Sequence, residues 1–414
     1  MKKLFIILLM AGLLLSVSAC TDIASQLTTR SQGELSREKE EGPSATPLPA
    51  QEAAPAAGEN GGNGAAAANG EITANGEPAP EAKPRPLALI CGPQGVEDQA
   101  AANDYDWAAW QGLLQYSQAS GLAAQAYPAA QEDQASRLAA VGLAVEGGAQ
   151  LIVAAGQAYE DTVYEAQYLY PHIGFILIDG EPHSLDFSQY AIAANTFAVS
   201  YTEQELGYLA GYALVSEGCT KLGFIGALAT ADMVRCGAGF IQGAAQAATD
   251  SQTQVTVSYC YSGLLGEDQR LQNLAGSWYA NGVEAIFAAG NFTASVCGAA
   301  EAAAAYVLAM NTDQYDLSSS VVSSAVKNIS LSVYNGAEDW FDGSFWGGKR
   351  VTQGLGSQGV GLAMEHERFN NFSAANLRML LNRFDNDELQ VTPVTTAGFD
   401  LTTLCGEYLT LSLE

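Results

Sequence analysis

Leu151-Ile152-Val153-Ala154-Ala155-Gly156, a helical run from about Ala158 to Leu169, and then Phe175-Ile176-Leu177-Ile178-Asp179 form the stretch that decides the fold. Neither apolar run alternates with polar residues, so each reads as a strand buried on both faces. A helix between two such strands makes a parallel crossover. The same alternation recurs outward from this unit. Leu87-Ala88-Leu89-Ile90-Cys91 precedes a helical stretch around Trp107 to Ser120, and a further helix near Gln134–Gly147 leads into Leu151. Leu222-Gly223-Phe224-Ile225-Gly226, Val255 to Tyr259, Ala285 to Ala289 and Val307 to Met310 continue it. The expectation is an α/β protein of mainly parallel sheets flanked by helices. Ligands in such folds sit beyond the carboxyl ends of the strands. That singles out Gly92, Gly156, Asp179, Gly226, Gly290 and Asn311.

The chain of 414 residues opens with Lys2 and Lys3, an apolar run from Leu4 to Leu15, and Val17-Ser18-Ala19-Cys20. The apolar run is too short to span a bilayer, and a small-residue cleavage site follows it. The cysteine directly after that site resembles a bacterial lipobox. Residues 1–20 are therefore expected to be a lipoprotein signal peptide, with Cys20 lipidated and the chain held at the outer face of a membrane. Residues 21–85 are rich in Ala, Gly, Pro and Glu and hold few large apolar side chains, the composition of a disordered spacer. As a flexible coil it would reach about 40–50 Å.

From Pro86 the composition is globular, and the length calls for more than one core. Two lobes are expected: residues 86–198 with return segments after 311, and residues 199–310. Residues 311–362 then supply the hinge crossing, and 363–414 a C-terminal extension packed on a lobe. The crossings are placed near Asn195–Thr196, Asn311 and Lys327. The formal charge of −28 argues against a nucleic-acid partner. Six cysteines besides Cys20 allow fifteen pairings, and several fall where a buried thiol fits as well as a disulfide. The histidines are scattered, no CxxC occurs, and neither a metal nor a cofactor is implied.

Two parallel sheets behind a lipobox fit a hinged solute-binding protein. The resemblance becomes specific at Asp104-Tyr105-Asp106-Trp107-Ala108-Ala109-Trp110-Gln111-Gly112-Leu113. This segment is similar to the Ser-Phe-Asn-x-x-x-Trp-Glu-Gly-Leu motif of basic-membrane-protein-type lipoproteins, the purine-nucleoside-binding subunits of ABC importers. Tyr201 to Gly211 resembles the family's Phe-Arg-x-Glu-Gln-x-x-Tyr-Leu-Ala-Gly segment. Phe224-Ile225-Gly226 and Gly239-Phe240-Ile241-Gln242-Gly243 resemble its second-lobe strand and helix. Asn311-Thr312-Asp313-Gln314 is similar to Asp-x-Asp-Gln, Ser323 to Lys327 to Ser-x-x-x-Lys, and Asp342 to Gly348 to Asp-Gly-Lys-Phe-x-Gly-Gly. The matches keep the family's order from Pro86 to about Leu362.

The resemblance implies a type I periplasmic-binding-protein-like fold and capture of a purine nucleoside by lobe closure. It also implies delivery to an ABC permease by a monomer, with no catalytic step. Together with the strand-end positions Gly156 and Gly290, and Asn291 beside the latter, it places Asp104, Tyr105, Asp106, Asn311, Asp313 and Lys327 at the ligand. Tyr105 would stack on the base, and Lys327 would either donate to the ribose or pair with Asp313 at the hinge. Asp104 and Asp106 serve equally as helix caps or as acceptors for the ligand. Several positions depart from the family. Its second stacking phenylalanine maps onto Leu265, with Tyr261 as a substitute. Its aspartate after the first strand maps onto Gly92, or shifts to Glu97 or Asp98. Its ribose-binding aspartate becomes Asn311. A sugar or a modified nucleoside is the alternative cargo, and a ligand sensor the alternative role.

Ser324-Ala325-Val326-Lys327 fits the Ser-x-x-Lys pattern of penicillin-interacting enzymes, which needs a helix start. Here the four residues lie in a β-branched run that reads as a strand, where positions three apart face opposite ways. Ser373 to Phe384 reads as a helix capped by Ser373, and its apolar stripe reads as a packing face.

Overall fold

The computed structural model describes residues 86–99 and 102–414. The expected signal peptide, Cys20 and the 21–85 spacer lie outside the described residues. The first lobe is built on β1 (Leu87–Cys91), β2 (Ala124–Pro128), β3 (Leu151–Ala155), β4 (Gly174–Ile178) and β5 (Thr196–Tyr201). A returning strand, β11 (Lys349–Gln353), completes it, and the six lie in the order β11-β5-β4-β3-β1-β2, parallel throughout. Three helices connect the first four strands: α1 (Asp104–Ser120), α2 (Gln134–Glu146) and, after a 3-10 turn, α3 (Glu160–Leu169).

Both faces of this sheet are buried, and the side chains sort by the strand period of two. Leu87, Leu89 and Cys91 enter one apolar cluster with Ala109 and Leu113 of α1. Ala88 and Ile90 enter another with Ala140, Val141 and Ala144 of α2 and Val163 and Ala166 of α3.

The second lobe holds β6 (Lys221–Gly226), β7 (Val255–Tyr261), β8 (Ala285–Ala289), β9 (Tyr306–Asn311), β10 (Val321–Lys327), β12 (Val360–Leu362) and β13 (Leu409–Leu413). Their order is β12-β10-β9-β8-β6-β7-β13, and β12 alone runs antiparallel to its neighbour. Its helices are α4 (Glu203–Glu217), α5 (Ala231–Ser251), α6 (Gln269–Ala280) and α7 (Thr293–Ala303), while α8 (Ile329–Asp342) packs back on α1 in the first lobe. Crossed glycines bring α4 and α5 together. A Cβ on Gly207 would fall 1.9 Å from the carbonyl oxygen of Cys236, so only glycine allows this approach.

The chain passes between lobes after β5, after β10 and between β11 and β12. The expected lobe boundary at 198 falls inside β5, which pairs with β4 as a full member of the first sheet. The crossing placed near Asn195–Thr196 therefore lies after Tyr201. The crossing placed at Asn311 is absent, because β9 continues into β10 of the same sheet.

Two edge strands, β2 and β13, carried little signal, whereas the helix expected from Ser373 is present. In β2 the run is Ala-Gln-Ala-Tyr-Pro, an edge strand that holds its place through backbone pairing to β1. The tail strand β13 adds a seventh strand beside β7. Between them, α9 (Ala374–Asp385) starts at Ser373, whose hydroxyl accepts from the Asn376 amide. It buries Leu380 against Tyr208 and Leu209 of the second lobe. The buried Glu217 carboxylate anchors this tail by accepting from the backbone amides of Asn370, Asn371 and Phe372. All six cysteines of the described residues are buried thiols outside any disulfide.

Candidate functional site

Two strand-end residues, one in each lobe, adopt the left-handed conformation: Asp179 after β4 with φ 57° and Asn311 at the end of β9 with φ 77°. Asp and Asn tolerate this conformation better than other side chains, and such backbone clusters where a site is built. Asp179 turns its carboxylate toward the lobe junction. There its Oδ2 accepts from the Tyr105 hydroxyl at 2.8 Å and from the Lys327 ammonium at 2.7 Å. Tyr105 enters from the first turn of α1, whose start is fixed by Asn103 accepting from the Tyr105 and Asp106 amides. Lys327 is the last residue of β10. A first-lobe helix, a first-lobe strand and a second-lobe strand thus meet at three side chains.

Glu203, in the first turn of α4, extends the cluster. Its Oε1 lies 3.9 Å from Lys327 Nζ, and its Oε2 accepts from Arg235 Nε at 3.0 Å. Lys327 also sits over the Tyr201 ring, 5.6 Å from its centroid. The Tyr201 hydroxyl meets Ser332, which bonds in turn to Gln353, so all three crossings are tied together. Burial works against the Lys327 ammonium, but Asp179, Tyr105 and Glu203 outweigh it and hold its pKa well above that of ordinary lysine. Burial, followed by the Asp179 charge, pushes the Tyr105 hydroxyl upward. Burial also raises Glu203, against the pull of Lys327 and Arg235. The ammonium is fully engaged inside the protein.

Of the residues expected at the ligand, Tyr105 and Lys327 come together directly. Gly156 stands beside them, and a Cβ there would lie 3.9 Å from the Tyr105 ring. Asp104 reaches across the cleft, where its Oδ2 accepts from the Thr312 hydroxyl at 3.2 Å. Asn311 follows in β9, and its buried Oδ1 has no partner among the described residues. Gly290 and Asn291 follow β8, with Gly290 buried and Asn291 exposed. Asp313 accepts from the Tyr315 amide and the Ser324 hydroxyl. It makes no pair with Lys327, whose partners are Asp179 and Glu203.

Asp106 departs from expectation. It is only 2% exposed, and its carboxylate accepts from the Gly92 amide at 2.9 Å and from the Tyr159 hydroxyl at 3.2 Å. Burial raises its pKa to about 6 despite those bonds. Its place is inside the first lobe, because position 106 falls on the face of α1 that packs against the sheet. Leu265 is 68% exposed and covers nothing, while Tyr261 is engaged with the Tyr259 hydroxyl and the Phe224 ring. Ser324 turns to Asp313 and to the Gln314 amide, so it forms no dyad with Lys327. Sequence reasoning marked Asp179 only as a strand end, and it missed Glu203 and Arg235. The acidic residue directly after a buried apolar strand was the available signal for Asp179.

A cavity of about 350 Å³ opens between the lobes, lined by Ala108, Ser330, Thr312, Asp313, Lys327 and the stretch from Leu362 to Glu365. Among the described residues, no group of three or more His, Cys, Asp or Glu side chains is placed to hold a metal ion. Among them, too, no helix is long and apolar enough to cross a membrane.

Residues 96–391 match the family described as ABC transporter substrate-binding protein PnrA-like. The ABC transporter nucleoside-binding protein BmpA of Lactococcus lactis is 26% identical over 67% of this chain and 81% of its own length. Basic membrane protein D of Borreliella burgdorferi is also 26% identical, over 55% of this chain and 66% of its own length. An ABC transporter solute-binding protein from Conexibacter woesei superposes with a TM-score of 0.60 at 17% identity, covering 74% of this chain and 98% of that one. One from Aeropyrum pernix gives 0.58 at 18%, covering 77% and 98%. The fold is type I periplasmic-binding-protein-like.

Proposed function

The chain belongs to the PnrA-like family of ABC transporter substrate-binding proteins, and from that premise we propose that it captures a purine nucleoside outside the cytoplasm and hands it to a membrane permease. A lipid on Cys20 would hold it at the membrane. More than one acyl chain, at about 0.8 kcal/mol for each buried CH₂, makes such an anchor durable. The reading is one of binding by lobe closure, with no covalent step.

The observation that carries the nucleoside reading is the position of Tyr105. Its ring lies beside Gly156, and its hydroxyl is pinned by Asp179 and Lys327 from opposite lobes. A ring so held presents a fixed stacking surface, and a base stacked on an aromatic gains roughly 1–3 kcal/mol. The Oδ1 of Asn311, without a partner among the described residues, adds an acceptor for a ribose hydroxyl or a base amine. A solute that joins these groups favours the closed state by its differential affinity. The name of the Lactococcus relative points the same way.

The second reading, a sugar or modified nucleoside, draws on Leu265. Its exposed side chain supplies no second ring opposite Tyr105. Calorimetric titration with purine and pyrimidine nucleosides, free bases, pentoses and hexoses decides between them. Tight binding of inosine, guanosine or adenosine that falls at least tenfold in Tyr105→Ala supports the first reading. Binding confined to sugars replaces it with the second.

A further inference from the structure

The interlobe cavity has a wall that no motif announces. Met364 and Glu365 line it beside Asp313 and Lys327, and both belong to the stretch following β12, past the last of the motifs read in the sequence. That stretch is firmly fixed. The Ala363 amide donates to the Ser324 carbonyl at 2.8 Å, and the Ser323 hydroxyl donates to the Ala363 carbonyl at 2.6 Å. Arg368 completes the clamp. Its guanidinium donates to the carbonyls of Tyr315 and Val321 and lies 3.5 Å from the centre of the Tyr315 ring. Residues 363–368 are thereby held against the connection between β9 and β10 that carries Asp313.

We propose that this segment is a wall of the cargo cleft and that Glu365 and Met364 contact the bound solute and help to select it. The proposal rests on the reading that cargo is held between the lobes. Most polar groups around the cavity are already engaged: Lys327 with Asp179 and Glu203, Thr312 with Asp104, and Asp313 with Tyr315 and Ser324. Glu365 is exposed and, among the described residues, makes no hydrogen bond or ion pair. It is therefore the charged lining group left to meet a ligand, and an ionised carboxylate can only accept. The thioether of Met364 and the apolar side chains of Val326, Ile329 and Leu362 supply the neighbouring surface. The solute end that fits here carries amino or hydroxyl donors on a carbon frame and bears no negative charge.

Two measurements on the full chain test this. In the first, without ligand, Met364→Cys is reacted with a cationic and an anionic methanethiosulfonate, and the labelling of the unsubstituted chain is subtracted. The cationic reagent is expected to react about tenfold faster, and adding Glu365→Gln should remove most of that preference. Equal rates for the two reagents overturn the proposal. In the second, the unsubstituted chain, Glu365→Gln and Glu365→Lys are titrated with nucleosides and sugars. A solute that binds the unsubstituted chain should bind Glu365→Lys at least tenfold more weakly at unchanged melting temperature. Unchanged affinity overturns the proposal. Binding of sugars alone refutes the nucleoside reading and leaves the wall to be judged on the bound sugar. If nothing binds, the nucleoside reading falls and the labelling rates still decide the wall.

Discussion

Replacing Asp106 by Asn separates a ligand-binding carboxylate from a structural one. Burial raises this carboxyl from its ordinary 3.8 to about 6, even though it accepts from Gly92 and Tyr159. At roughly 1.4 kcal/mol for each pH unit, ionising Asp106 in the folded protein costs about 3 kcal/mol relative to the unfolded chain. The folded state holds the proton more tightly than the unfolded chain, which releases it near 3.8. The stability given by the protonated form is therefore complete below that pH and is lost as pH rises through about 6. Asparagine keeps the shape, can accept from the Gly92 amide, and stays neutral. Glu160 and Glu203 are raised by burial as well, and they cancel in the difference between the two proteins. Urea unfolding between pH 4 and 7.5 should show Asp106→Asn gaining up to about 3 kcal/mol on the parent, with the gain appearing mainly between pH 4 and 6. Affinity for whatever solute the protein binds should stay within about twofold, because Asp106 does not face the cleft. A stability difference that is flat across this range refutes the burial argument. A tenfold loss of affinity would return Asp106 to the ligand.

Four further substitutions, two of them combined in a double variant, probe the frame around the site. Asp179→Asn leaves the buried Lys327 ammonium with Glu203 at 3.9 Å as its nearest charge, and should cost about 3 kcal/mol in urea unfolding. Asp179→Asn combined with Lys327→Met should recover part of that loss, and a strictly additive double variant would deny the pairing. Gly207→Ala forces a methyl group to within 1.9 Å of the Cys236 carbonyl, so α4 and α5 must separate. A melting temperature lower by several degrees is expected, whereas an unchanged one would mean the helices are not in contact in solution. Glu217→Ala strips three backbone amides of their acceptor and should free the tail. Hydrogen exchange of residues 370–373 should rise at least tenfold, and unaltered protection would show that α9 and β13 hold the tail alone.

The sequence made the lobes legible wherever a strand is buried on both faces. In β1, β3, β4 and β8 every residue is buried, and an apolar run with no alternation has no other economical fold. It fell silent at β2 and β13, where an edge strand draws its stability from one backbone ladder and its side chains are free to be Gln, Thr or Ser. The site divides in the same way. Tyr105 and Lys327 stand in segments whose neighbours repeat a family pattern, so their positions could be inferred. Asp179 was marked by its strand end alone, and Glu203 acquires meaning only from what surrounds it, since one carboxylate in a helix's first turn looks like another in sequence. Asp106 shows the converse. It sits two residues from Asp104 on the same helical turn, yet the roughly 200° rotation that separates them carries one carboxylate to the cleft and the other into the core. Motif position alone could not tell the two apart; helical geometry and the site of the sheet behind the helix do.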